Sequence, residues 1–233
     1  MEFYTAIMMY ENTTPWMGRN KKRKAVAEPV MDETEEQGFP LPLVLPKFGF
    51  GGSSSVYSHQ NHIFFNDEIN NETVFALNKE LRTAETKQKL VSLTHGTTPS
   101  PIYLHLTTDG GSIHAAFSVV DCIQSLSVPV YTVVDGFVAS AGTLISLAGA
   151  KKFIRPNAYM LIHELRSGVW GKMSSIEEEV ENLKKVMEHI YDFYITNTRM
   201  SKKQLEKILN KDVIWNATEC IAKGVADEMY TKN

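Results

Sequence analysis

Between about residues 60 and 230 the chain switches repeatedly between two hydrophobic periods. Short apolar or alternating runs at His62-Ile63-Phe64-Phe65, Pro101 to Thr107, Val130 to Val134, Lys152-Phe153-Ile154 and Tyr159-Met160-Leu161-Ile162 predict strands. Three- and four-residue spacing predicts the helices between them. Val74, Leu77 and Leu81 mark one after Asn70-Asn71; Ile113, Ala116, Phe117, Val120 and Ile123 mark another, capped by Ser112. Lys79 to Thr98 is polar and reads as loop toward its end. Asp135 to Gly149 continues a strand into residues that are apolar on every face, which predicts a buried helix. Ile176, Val180, Leu183, Met187, Ile190 and Tyr194 predict a long helix over 174–199, with Ser174 and Glu177 as its capping box. Ser201 and Gln204 open a further helix, and a last one runs from Thr218 to Gly224, ahead of the strand-like Val225-Ala226-Asp227.

Strand, glycine turn and helix follow one another twice, at 101–127 and 130–150. That order implies parallel strands with helical crossovers, and so an α/β fold. Residues 1–55 differ: five prolines, a basic cluster from Arg19 to Lys24, acidic residues at 32–36 and a Gly/Ser-rich end carry no hydrophobic period. They read as a flexible extension, with one domain over 56–233. The basic cluster is taken as a solvated charge run rather than a nucleic-acid patch.

Composition narrows the function classes. The 233 residues are 43% apolar and 22% charged with a formal net charge of −3, ordinary for a globular protein and without general affinity for nucleic acid or anionic membrane. No apolar run is long enough to cross a bilayer and no secretory signal opens the chain, so a cytoplasmic location is expected. Cys122 and Cys220 fall in apolar helical surroundings, where buried reduced thiols are expected. Gly168 to Met173 and Gly49-Phe50-Gly51 lack the spacing of nucleotide-binding loops, so neither cofactor nor metal is expected in this chain.

The chemistry centres on Ser140, set among Ala139, Ala141 and Gly142 at a strand-to-helix junction. Such a junction exposes the hydroxyl, and the first-turn N–H groups beside it have no intrahelical partner. A serine needs an imidazole to take its proton and a carboxylate to orient the imidazole. Of seven histidines, His59, His62 and His95 fall in polar segments, His189 on the long helix, and His105 and His114 beside the double-glycine turn. Only His163 closes an apolar strand of the same α/β unit. Asp212, followed by an apolar run able to bury it, is one candidate carboxylate; Asp192, Asp135 and Asp109 are others, and composition does not choose.

Four strings in register decide further: Thr107-Thr108-Asp109-Gly110-Gly111-Ser112, Asp135 to Gly142, Leu147 to Lys151, and Pro156 to His163. Together they resemble the proteolytic subunit of the Clp protease, a likeness that extends through Asp212, Ala217-Thr218-Glu219 and Gly224 to Asp227. The resemblance implies a crotonase-like fold of repeated ββα units with a protruding handle helix. It implies Ser140 as nucleophile, His163 as base, Asp212 as orienting acid, and the N–H groups of Gly111 and Ala141 as oxyanion hole. It further implies stacked heptameric rings that enclose the active sites, fed with unfolded polypeptide by an AAA+ unfoldase that alone uses ATP.

The chain departs from that pattern at several positions. Asp109 stands in place of proline, Glu164-Leu165 in place of Gln-Pro after the histidine, His105 in place of an aromatic of the unfoldase-docking cleft, and Lys211 in place of arginine. Two other readings remain: a crotonase-type acyl-CoA enzyme, and a ring subunit that scaffolds an active paralogue.

Overall fold

The computed structural model describes residues 55–231; the reading of 1–55 as an extension therefore falls almost wholly outside the described residues. The elements run β1 (Val56–His59), β2 (His62–Asn66), α1 (Asn71–His95), β3 (Ile102–Thr108), α2 (Ile113–Ser125), β4 (Val130–Ala139), α3 (Ala141–Leu147), β5 (Lys151–Ile154), β6 (Tyr159–Ile162), α4 (Met173–Asn197), α5 (Lys202–Leu209), β7 (Val213–Asn216), α6 (Ala217–Lys223) and β8 (Glu228–Met229). The expected parallel sheet forms, in the order β1-β2-β3-β4-β5-β8 with only β1 antiparallel along that path.

β4 is longer than its apolar run suggests, and the reason fixes the site. Its first half pairs with β5, and after Gly136, at φ 91°, its second half pairs with β6 through Phe137–Tyr159 to Ala139–Leu161. Asp135 to Ala139 are therefore strand, not helix. The register between β3 and β4 shifts over the same stretch, from Leu106–Val134 to Thr108–Val138. α3 is correspondingly short, and all seven of its residues are buried as expected.

α1 runs through the segment that reads as polar loop. Asn70 accepts from the N–H groups of Glu72 and Thr73, Thr73 Oγ1 accepts from the Asn70 N–H, and Gly96 at φ 64° ends the helix. Its inner stripe is Leu77, Leu81, Ala84, Gln88 and Ser92, small and polar toward the C-terminus, so the hydrophobic signal fades while the helix continues. α4 begins at Met173, which puts Ser174 inside the first turn, where it is not the cap. Of its 25 residues only Ile190 and Tyr194 are buried, so the helix is anchored by its C-terminal end and the rest extends from the body, as a handle would. The final strand lies at Glu228–Met229, just past the segment expected.

The main core includes Leu77, Leu81, Ala116, Val119, Leu144 and Ile145 from α1, α2 and α3 packed on the alternate residues Leu104, Leu106 and Val134 of the strands. Each large aliphatic so buried is worth about 1.5–3 kcal/mol. A second, smaller cluster of Val133, Phe153 and Tyr230, with Tyr103 and Tyr131 against it, lies apart from that core. There His105, 3% exposed, meets His62 Nδ1 through Nε2 at 2.9 Å and Asp135 through Nδ1 at 3.2 Å, while Arg155 forms an ion pair with the same carboxylate at 2.7 Å. Asp135 lies within β4, and its bond to His105, reinforced by the charge of Arg155, holds its pKa below the usual range against the effect of burial. His62 opens β2, where the sequence places a strand.

Among the described residues no helix is long and apolar enough to cross a membrane. Cys122 and Cys220 are free and buried, and burial pushes both thiols up, Cys220 to about 12.

Candidate active site

Ser140 is the hinge between β4 and α3, and its backbone is strained: φ 54° and ψ −124°, a region natural to glycine. Three bonds hold it there. Its N–H donates to Leu161 O on β6 at 3.0 Å, and its carbonyl accepts from Thr143 N–H at 3.0 Å and Thr143 Oγ1 at 2.6 Å. The side chain makes no cap bond to the helix, which leaves the hydroxyl free to point elsewhere.

The double-glycine turn packs directly on this hinge. A Cβ on Gly110 would lie 2.7 Å from Ser140 Cβ, and one on Gly111 would lie 2.2 Å from Ile69 O, so both positions require glycine. Ile69 staples the turn from the other side, its N–H donating to Gly110 O at 2.8 Å and its carbonyl accepting from Ser112 N–H at 2.7 Å. That bridge leaves the Gly111 N–H outside its bonds, and the Ala141 N–H begins a helix. Neither N–H carries a hydrogen bond among the described residues.

These groups open on one cleft of about 290 Å³ whose walls include Asp109, Gly111, Ser140, Ala141, His163, Glu164 and Arg166. Ile113, Leu144, Leu165, Ile190 and Tyr194 give it an apolar side. Tyr194 OH meets Thr143 Oγ1, and burial, partly offset by that bond, pushes its pKa to about 12, so it stays protonated.

His163 follows the last residue of β6 and is half-buried. Its Nδ1 lies 2.6 Å from Glu164 O. A carbonyl only accepts, so Nδ1 carries the hydrogen and the neutral ring leaves Nε2 bare, the tautomer a general base needs. No hydrogen bond joins Ser140 Oγ to His163 among the described residues.

Asp212 is placed differently from expectation. β6 and β7 pair antiparallel with Ile162 opposite Val213, so the next positions along the ladder are His163 and Asp212. The carboxylate nevertheless turns to Arg166, whose guanidinium donates to Oδ2 at 2.6 Å. Asp212 is 59% exposed, not buried by the apolar run after it, and it is outside the cleft lining. Four of the five expected residues therefore share a cleft, and the fifth is adjacent but engaged elsewhere. The sequence does not single out Ile69, Thr143 or Arg166; Thr143, which with Ser146 is one of two hydroxyls in an otherwise apolar helix, carries the one visible signal.

A parallel sheet with a strained serine at a strand-to-helix elbow, backed by a glycine turn, defines an α/β protein organised around a cleft-lining serine. A sequence profile of the Clp protease family matches residues 54–233. The chain is 33% identical over 155 residues to the ATP-dependent Clp protease proteolytic subunit 2 of Treponema denticola, covering 66% of this chain and 77% of that one. It is 32% identical to proteolytic subunit 1 of Chlamydia muridarum over 152 residues, 64% and 79% of the two chains. The proteolytic subunit of Streptococcus equi subsp. equi matches at 33% over 136 residues, 57% and 69%. The chain belongs to the Clp protease family.

Proposed function

We propose that this chain is a serine endopeptidase subunit in which Ser140 is the nucleophile, His163 the general base and Asp212 the carboxylate that orients and supports the imidazole. The single observation that carries the reading is the cleft lined together by a strained Ser140, two unbonded N–H groups and His163, whose Nδ1 is turned to the Glu164 carbonyl. Ser140 Oγ attacks the scissile carbonyl while His163 Nε2 takes its proton, and the oxyanion settles between the Gly111 and Ala141 N–H groups. The tetrahedral adduct collapses as His163 returns that proton to the leaving amine. Water, activated by the same imidazole, then hydrolyses the acyl-enzyme and frees Ser140.

Nothing in an open cleft of this kind selects one sequence strongly, so the natural substrate is unfolded polypeptide admitted to an enclosed assembly. The relatives' names carry "ATP-dependent". A separate Clp-type ATPase would supply that step here, with copies of this chain stacked as heptameric rings through α4. Labelling by a fluorophosphonate tests the nucleophile: Ser140 is modified, and S140A loses labelling and at least about a thousand-fold in peptide turnover. Unchanged turnover in S140A refutes the reading.

One observation favours a second reading, a ring subunit that supports an active relative: Asp212 is bonded to Arg166 and not to His163. Silence toward the probe, with activity restored on mixing with an active relative, would select it.

A further inference from the structure

We propose that Arg166 is a latch that holds Asp212 off His163, so that the chain carries its own restraint on catalysis; this rests on the triad reading above.

Three placements carry the argument. First, the β6–β7 ladder ends with Ile162 opposite Val213, which leaves His163 and Asp212 one step past its end on neighbouring segments. Facing residues within such a ladder have Cβ atoms about 5 Å apart, so just past its end a side-chain rotation is the movement that would bring the carboxylate to the imidazole. Second, Asp212 Oδ2 is taken by the Arg166 guanidinium at 2.6 Å. Third, the ring nitrogen that would meet the carboxylate, His163 Nδ1, is satisfied by Glu164 O, also at 2.6 Å. Glu164 is itself tied to the body, its N–H donating to Leu209 O at 2.9 Å, which keeps an alternative partner beside the imidazole.

The site therefore has two hydrogen-bonding arrangements. Latched, Arg166 holds Asp212 and the Glu164 carbonyl holds His163. Released, Asp212 accepts from His163 Nδ1–H and Arg166 returns to water. In both the tautomer is right for proton abstraction, but only the second sets a negative charge against the imidazolium that forms when Ser140 gives up its proton. A carbonyl dipole is a weaker counterpart than a carboxylate.

The latch is soft. Arg166 is 69% exposed and Asp212 59%, and an ion pair so open to water shifts an equilibrium by about two- to five-fold. It attenuates turnover without abolishing it. Salt weakens the pair between two full charges more than the bond from a neutral imidazole, so the released fraction rises with ionic strength.

The test is R166Q, compared with wild type, R166K, D212N and R166Q/D212N in the full-length protein. Native mass is checked for each, and both the fluorophosphonate labelling rate and peptide turnover are read. The latch predicts that R166Q raises kcat and labelling about two- to five-fold with KM unchanged, and that R166K recovers most of the restraint. It predicts that wild type gains activity between about 0.05 and 0.3 M salt while R166Q does not. In the D212N background the gain from R166Q disappears.

An unchanged or lower kcat in R166Q, or a gain that persists without Asp212, overturns the latch. A raised KM at unchanged kcat overturns it in favour of a substrate contact, since Arg166 lines the cleft. If D212N itself leaves labelling and turnover at wild-type levels, the triad reading fails and the latch with it. If D212N is crippled and R166Q is neutral, only the latch fails.

Discussion

Replacing Ser140 with glycine should make the protein more stable while making it inert. Ser140 sits at φ 54°, ψ −124° with a side chain that earns no cap bond. A non-glycine residue held in a sparsely populated region of this kind costs about 1–3 kcal/mol. Glycine relieves that strain and returns about 0.5–1 kcal/mol in unfolded-chain entropy. The Cβ removed is in close contact with Gly110, against which a new Cβ would lie at 2.7 Å, so the vacated volume is small. The net gain is about 1 kcal/mol, or about 2–4 °C in Tm for a domain of this size. S140A is the control, since it removes the hydroxyl and keeps the Cβ and the strain. Calorimetry on samples matched in concentration and native mass reads the difference, because assembly itself raises Tm. Both variants lose probe labelling. A melting temperature for S140G equal to or below that of S140A would falsify the claim that the elbow stores strain.

Two further outcomes follow from the same geometry. In G111A a Cβ would meet Ile69 O at 2.2 Å from a backbone at φ 140°, so the Ile69 staple opens; the variant loses at least about 2 kcal/mol in denaturant unfolding and its probe labelling falls by a hundred-fold or more. Glu85 joins α1 to the turn after α2: burial raises its pKa, but bonds from Lys89 and from the Ser127 N–H and hydroxyl outweigh this and hold it at about 2, against 4.5. A depressed carboxylate stabilises above its unfolded pKa, so this contribution is present at neutral pH and lost as pH falls from about 4.5 toward 2. After allowance for solvent screening, E85Q loses about 1 kcal/mol at pH 7 and only a small fraction of that at pH 2, as read from urea midpoints; an equal loss at both pH values would mean that charge is not the cause.

What could be read in advance followed from chain-local physics. Strand, glycine turn and helix in succession dictate parallel pairing, and Ser140 was recognisable because small residues crowd a strand-to-helix junction. The C-terminal half of α1 was hidden, since its buried stripe passes through Ala84, Gln88 and Ser92, which carry little hydrophobic signal. The extension of β4 was hidden too, because Phe137 to Ala139 become strand only by pairing with β6, 22 residues further on. Asp212 could be picked out as a residue, but its partner could not: a surface ion pair between positions 166 and 212 leaves no trace in either local sequence. The link between His105 and His62 was equally invisible, as it depends on β2 and β3 lying side by side with Ile63 opposite Leu104.

The hydroxyls behind the elbow run in one direction. Ser140 O can only accept, so Thr143 must spend its single hydrogen on that oxygen, and Tyr194 must therefore be the donor toward Thr143. A trans peptide unit is flat, with its oxygen and its hydrogen on opposite edges. Gripping the Ser140 oxygen from behind thus aims the Ala141 hydrogen forward, and a peptide flip at this bond would first have to break both of Thr143's holds. The tyrosine near the buried end of the protruding helix is in this way the rearmost tooth of a ratchet that keeps one amide facing the cleft.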